Sequence, residues 1–341
     1  MILFRADANR EIGSGHVMRC LSIADAAAGA GESCVFLCAS ADMEEQIRAR
    51  GHECLVFGGD YRRMEEDGLA ALIPARRPDT VIIDSYQVTA GYLESIKKSC
   101  EECKSRLVCI NDDPLFPYPC HILINYNIGR SPEEYRRLYG EAMPELILGM
   151  EYAPLRKEFS SSECGSRREK AEQVLVSTGG ADPGHMAAAL ADAAPDRGLC
   201  WHFVIGPLNP DRELLREKAK GKNIVLHENV RDMAALMKSC DIAVSAAGST
   251  LYELCALRLP TLTYVLEDNQ AAPAEAFASR GIMKNCGDIR ILGRQRLAEE
   301  LVKAAETLAA DAAERDRMAE AMAAVTDGRG AERIVAALKK R

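Results

Sequence analysis

The chain has 341 residues, 48% of them hydrophobic and 28% charged, with a formal net charge of −8. That length exceeds one ordinary core and calls for two domains, while the interleaved signs, with no polybasic block, exclude a phosphate-backbone binder. One Trp and few Phe leave no stacking surface for single-stranded nucleic acid, and no apolar run reaches the roughly 18 residues of a membrane span.

Met1 leads straight into the strand-like ILFRAD with no signal-peptide pattern, which predicts a cytoplasmic protein. Its 13 cysteines are then expected to stay reduced, most of them as small core residues such as Cys34, Cys38, Cys109 and Cys255. Cys100 and Cys103 form a CxxC, but Cys109 and Cys120 follow at uneven spacing and supply no second close pair, so no metal site is expected.

Short β-branched or apolar runs alternate with amphipathic segments along the chain, the pattern of mostly parallel sheets covered by helices. Strands are predicted at 2–7, 34–40, 54–58, 80–86, 106–112 and 122–127, with helices near 16–30, 41–50, 62–74 and 89–104. Residues 1–157 thus read as a first Rossmann-like domain, and the polar, serine-rich 158–172 as a linker. The pattern restarts with strands at 173–180, 201–206, 223–228, 241–248 and 261–267, a second Rossmann-like domain over 173–325, and 326–341 reads as a capped final helix. The expected fold class is α/β, two doubly wound domains facing a cleft. Such folds bind ligands in the loops just after strands.

Four of those loops stand out. In RADANREIGSGHVMRC, Gly13 and Gly15 permit a close backbone approach to a ligand, and the helix beginning near His16 offers free N–H groups. The dinucleotide fingerprint is absent, because no third glycine follows at the required spacing. A Gly-x-Gly turn serves equally as an ordinary connection, but of six histidines only His16 stands directly behind it, and neutral imidazole is a natural general base near pH 7. In VLVSTGGADPGHM, Gly179 and Gly180 end a strand and Asp182 reads as a cap, either in a plain connection or in a phosphate cradle; His185 falls in the following helix as a surface residue. In DIAVSAAGSTLYEL, the small-residue turn from Ser245 to Gly248 leads into a helix whose Ser249 and Thr250 amides are placed for a diphosphate. Glu253, one turn in, would be repelled there unless it accepts hydrogen bonds from ribose hydroxyls. In YVLEDNQAAPAEAF, Asn269 and Gln270 open a helix, as caps or as readers of a sugar or base.

Taken in order, RADANREIGSGHVMRCLSIA, VIIDSY, INDD, ILINYN, LGMEYAPLRKEF, STGGAD and SAAGSTLYEL resemble the UDP-2,4-diacetamido-2,4,6-trideoxy-β-L-altropyranose hydrolases of pseudaminic acid biosynthesis. The match runs from Met1 to about Gln270. It implies the two-domain GT-B fold, also similar to the UDP-GlcNAc transferase of peptidoglycan synthesis. UDP would be held mainly by the C-terminal domain, with Gly180 near the phosphates, Ser249 and Thr250 at the helix start and Glu253 on the ribose. His16 is implied as catalytic base, and Tyr86, Asn125, Asn127, Arg156, Asn269 and Gln270 as pocket residues. Members of the family often read Asp-His-Tyr where this chain has Asp84, Ser85 and Tyr86, so a second histidine is absent. The implied reaction is attack of water on the anomeric carbon with inversion, without metal or other cofactor. The UDP-sugar and water are its partners, with no nucleic acid or membrane. The same frame would serve a glycosyltransferase passing the sugar to an alcohol, or a non-catalytic nucleotide-sugar sensor.

Overall fold

The computed structural model describes residues 1–113, 116–160, 169–206 and 208–339, in two compact units. One comprises Met1–Asn9, Ser14–Arg156 and Arg329–Arg341, the other Arg10–Gly13 and Lys157–Gly328. The expected linker at 158–172 falls largely on 161–168, outside the described residues.

The first unit is a parallel sheet of β1 (Ile2–Ala6), β2 (Cys34–Cys38), β3 (Glu53–Val56), β4 (Thr80–Asp84), β5 (Arg106–Ile110), β6 (Ile122–Asn125) and β7 (Glu145–Leu148). Their order is β3-β2-β1-β4-β5-β6-β7. The helices between them are α1 (Gly15–Gly29), α2 (Glu44–Ala49), α3 (Leu69–Arg76), α4 (Ala90–Glu102) and α5 (Pro132–Tyr139). Strands covered on both faces need apolar side chains on both, so CVFLC and TVIID run without alternation. One face carries Leu3, Val81, Leu107 and Leu123 against Ile73 of α3, Leu93 and Ile96 of α4 and Tyr135 of α5. Arg5 of β1 is the exception, fully buried and held by Asp7 at 2.5 Å and Asp67 at 2.8 Å, with Tyr92 donating to Asp67 at 2.7 Å.

The second unit repeats the plan with β8 (Gln173–Ser177), β9 (Cys200–Ile205), β10 (Ile224–Glu228), β11 (Ile242–Ala246), β12 (Thr261–Val265) and β13 (Lys284–Asp288), in the order β10-β9-β8-β11-β12-β13. Its helices are α6 (Met186–Ala193), α7 (Arg212–Lys218), α8 (Met233–Ser239), α9 (Thr250–Ala256), α10 (Asp268–Ser279), α11 (Ile289–Leu292), α12 (Arg294–Ala310) and α13 (Ala312–Ala323). Val174, Trp201, Ile242 and Leu262 pack with Leu190 of α6 and Leu301 of α12. α14 (Gly330–Lys339) returns to the first unit, where Lys339 Nζ donates to the carbonyl of Ala30 at 2.8 Å, beyond the end of α1.

Several elements go beyond the sequence expectation, α5, β7 and β13 among them. α5 has Ser131 as its cap, accepting from Glu134 N, and Pro132 in its first turn. β7 and β13 are edge strands of ELIL and KNCGD, too short or too polar to register as buried runs. No helix among the described residues is long and apolar enough to cross a membrane. Cys100 lies on the core-facing side of α4, where burial pushes its thiol up to about 12.

Candidate active site

In each unit the strand order reverses direction between two neighbours, β1 and β4 in the first and β8 and β11 in the second. Ligands of open α/β sheets bind outside the carboxyl ends of strands at such switch points. The first switch point holds a network of charged side chains. Gly13, at φ +71, lets the chain turn out of β1 toward α1, and His16 stands in the first turn of that helix, buried at 7% exposure.

His16 Nδ1 lies 2.7 Å from Oδ1 of Asp84, the fully buried last residue of β4. Arg19, one helical turn on, grips the same carboxylate with Nε on Oδ2 at 2.5 Å and Nη2 on Oδ1 at 2.5 Å. Its Nη1 reaches both oxygens of Asp112 at 2.9 Å and the hydroxyl of Tyr126 at 2.9 Å. Asp112 also accepts from Tyr86 at 2.5 Å and from Asn127 Nδ2 at 3.0 Å. The Tyr86 ring, half-exposed, meets His16 edge-on with centroids 4.5 Å apart. Asn125, buried at the end of β6, donates to Tyr135 at 2.7 Å and accepts from Asn127 N at 2.9 Å.

Burial alone would raise the pKa of Asp84, but Arg19 and then His16 outweigh it and hold the carboxyl well below the ordinary range. Asp112 is lowered on the same balance, burial opposed first by Arg19. The phenol of Tyr86 is driven up by loss of solvent around its hydroxyl and by Asp112, so it remains a donor. An ionised Asp84 facing Nδ1 fixes the proton on that nitrogen, since the other tautomer would set lone pair against lone pair. Arg19 Nη2, 3.2 Å from Nδ1, shares the acceptor Oδ1 rather than bonding the ring. Nε2 carries no hydrogen bond among the described residues and keeps its lone pair, the arrangement a general base needs.

The second switch point is built from backbone. Gly180 follows β8 and is backed by Gly206, where any Cβ would collide with the Gly180 main chain; Leu208 N donates to the Gly180 carbonyl at 3.0 Å. Buried Asp182 accepts from Met186 N at 3.0 Å and Ala187 N at 2.9 Å, so these first amides of α6 are already taken. His185 does not lie in that helix as expected. It precedes it in the left-handed region, φ +52, with Nδ1 2.5 Å from Asp211 Oδ2, because the chain must turn sharply after Pro183 to start α6. Exposed Ser249 and half-buried Thr250 stand where α9 opens behind β11, with Glu253 half-buried one turn on. The first amides of a helix lack intrahelical partners. Gln270 gives its Oε1 to Leu266 N at 2.9 Å, a cap on its own loop, and Asn269 beside it is exposed.

Of the expected residues, the structure brings His16, Tyr86, Asn125 and Asn127 into one network around Asp84 and Asp112. Gly15 opens α1, and Arg156 lies half-buried in the same unit past the 3-10 turn Met150–Tyr152. Gly180, Ser249, Thr250 and Glu253 follow two adjacent strands of the other unit. The residues that sequence reasoning left without a role are Asp84, Arg19, Asp112 and Tyr126. Part of the signal was present, since Arg19 shares a helix face with His16 three residues away, whereas nothing local to the two carboxylates shows that they face an arginine.

No protein-family profile matches the chain. It is 26% identical over 286 residues to the UDP-2,4-diacetamido-2,4,6-trideoxy-β-L-altropyranose hydrolase of Campylobacter jejuni, covering 82% of this chain and 97% of that one. It is 26% identical over 292 residues to the spore coat polysaccharide biosynthesis protein SpsG of Bacillus subtilis, covering 83% and 82%. A 26% match to the uncharacterized protein MJ1062 of Methanocaldococcus jannaschii covers 77% of this chain but 55% of that longer protein. Among solved structures, Acinetobacter baumannii MurG matches with a TM-score of 0.65 at 13% identity, covering 100% and 99% of the two chains. Spinosyn rhamnosyltransferase SpnG complexed with thymidine diphosphate matches with a TM-score of 0.66 at 15% identity over 100% of both. The resemblance to the altropyranose hydrolases thus extends over most of the chain, and the fold is the α/β, two-domain GT-B fold.

Proposed function

We propose that the protein hydrolyses a UDP-linked 2,4-diacetamido-2,4,6-trideoxy sugar, the β-L-altropyranose, to the free sugar and UDP in pseudaminic acid biosynthesis. The observation that carries this reading is the buried His16–Asp84 pair at the first switch point, with Nδ1 occupied and Nε2 left as acceptor. The similarity to the Campylobacter hydrolase supplies the substrate.

Water attacks the anomeric carbon as its proton passes to His16 Nε2. The bond from that carbon to the β-phosphate oxygen breaks, its electron pair leaves with UDP, and the sugar is released with inverted configuration. Positive charge grows on the sugar as negative charge moves to the phosphates, which backbone N–H groups near Gly180, Ser249 and Thr250 would stabilise without a metal. Glu253 would accept from ribose hydroxyls. Gly13, Gly15, Tyr86, Asn125, Asn127, Arg156, Asn269 and Gln270 would complete the binding of sugar and base.

The test is incubation of the purified protein with this UDP-sugar and no acceptor, following UDP release and the anomeric NMR signal of the sugar. Release with inversion is expected. Release only when an alcohol is added makes the protein a glycosyltransferase, and tight binding without turnover makes it a sensor.

A further inference from the structure

We propose that Arg19 is a positioning residue for this reaction. Its guanidinium locks Asp84 as the acceptor for His16 Nδ1–H and ties that pair to Asp112, the carboxylate that holds Tyr86 and Asn127. The proposal rests on the reading of His16 as the base.

Arg19 is buried and spends three nitrogens on two carboxylates: Nε and Nη2 on the two oxygens of Asp84, and Nη1 on Asp112. A lysine, with one nitrogen, cannot span that set. The titratable and charged groups around Asp84 are His16, Arg19 and Cys20 from α1, Cys20 Sγ lying 3.6 Å from Oδ2, with Asp112 and Tyr86 from the loops after β5 and β4, Tyr126 after β6, Cys109 of β5 and Tyr118. Arg19 is the one cation among them that touches both carboxylates.

Without it, two carboxylates would share a water-poor site, where like charges drive one to take up a proton. A protonated Asp84 becomes a donor to Nδ1, which sends the imidazole proton to Nε2 and removes the base. Arg19 therefore acts on the reaction through the tautomer of His16. The same guanidinium holds Asp112, so the Tyr86 ring against His16 and the amide of Asn127 are set by the group that sets the base. A bulk ion pair serving stability alone would have no effect on which ring nitrogen carries the proton.

The experiment is 15N-histidine and 13C-carboxyl NMR of the full chain, wild type against Arg19→Gln and Arg19→Lys, paired with turnover of the UDP-altropyranose substrate. In the wild type, neutral His16 should carry its proton on Nδ1. Arg19→Gln should raise the Nε2–H population and move the protonation midpoint of Asp84 upward, with kcat reduced about 10- to 100-fold and KM changed less than about threefold. Arg19→Lys should recover part of the tautomer and part of kcat. If Arg19→Gln fails to fold, Arg19→Lys decides alone: an unchanged tautomer together with an unchanged kcat overturns the proposal. An unchanged tautomer and Asp84 midpoint in a folded Arg19→Gln overturns it whether or not the wild type turns the substrate over. A wild type that releases no UDP overturns instead the reading of the reaction, since the NMR comparison needs no substrate.

Discussion

The two units run the same strand order through six strands, yet fill the equivalent switch point in opposite ways. Between β1 and β4 stand an imidazole, a guanidinium and two carboxylates, most of them buried; between β8 and β11 stand glycines, small hydroxyl residues and main-chain N–H groups. The nearest buried carboxylate of the second unit, Asp182, is committed to the start of α6. Topology chose the place in both cases, and the residues closing the strands chose the chemistry. Side chains that gain and lose protons suit a reacting water, whereas fixed backbone dipoles suit an anion that must be held without proton exchange.

The contrast is open to attack from both sides. The largest effect is expected from Asp84→Ala, which leaves the buried Arg19 cation half compensated and should cost about 3–5 kcal/mol in urea melts; a cost below about 1 kcal/mol would mean that the network is not the buried charge cluster described. His16→Ala should slow UDP release by about a hundredfold or more while UDP affinity holds within about twofold by calorimetry. Full rate in that variant would move the base elsewhere. In the second unit Gly206→Ala forces the Gly180 main chain aside and should cost about 1–3 kcal/mol, with weaker UDP binding and no change in His16 chemistry; unaltered UDP binding would separate Gly180 from the phosphates.

The smallest effect is a pH dependence carried by the second unit, measured against Asp84 of the first. His202 and His227 hydrogen-bond each other across β9 and β10 at 2.9 Å, and burial lowers both, His202 further through its neighbour. A histidine lowered by folding contributes stability above its ordinary value, near 6.5, and loses it as the pH falls through that value. Asp84, also lowered, keeps its contribution until the pH drops below the ordinary carboxylate range, near 3.8. The chain's single Trp, Trp201, is buried in the second unit and reports on it. The second unit's denaturation midpoint should begin to fall below about pH 6.5 and fall less steeply in His227→Gln, where half-buried His202 remains. A wild-type midpoint constant from pH 7.5 to 5 would remove this pair's contribution.

The central strands were legible because a strand buried on both faces must be a continuous apolar run, as in CVFLC, TVIID and IAVSA. Edge strands answer to fewer neighbours, which is why ELIL and KNCGD escaped notice. α5 was readable in principle, since Ser131, Pro132 and Glu134 spell a helix start in the order a cap requires. For the site, Gly-x-Gly-His marked the position of His16, but its partner Asp84 lies 68 residues away in sequence, and Asp112, bound through Arg19, 96. A carboxylate ending a strand looks the same whether it faces water or an arginine; only the sheet order put Asp84 beside α1. Nor does the apolar spacing of 330–339 tell which unit that segment joins.

That return of α14 has a consequence for synthesis. Ala331, Ile334, Val335 and Leu338 of the helix are buried in the unit that begins the chain, and they leave the ribosome only after the whole second unit. The first unit must therefore wait with an apolar flank uncovered while its successor is made, a natural site for a chaperone to hold. A fragment stopping at residue 156 would keep that flank bare, so it should aggregate on expression and recover when a peptide spanning 329–341 is supplied in trans.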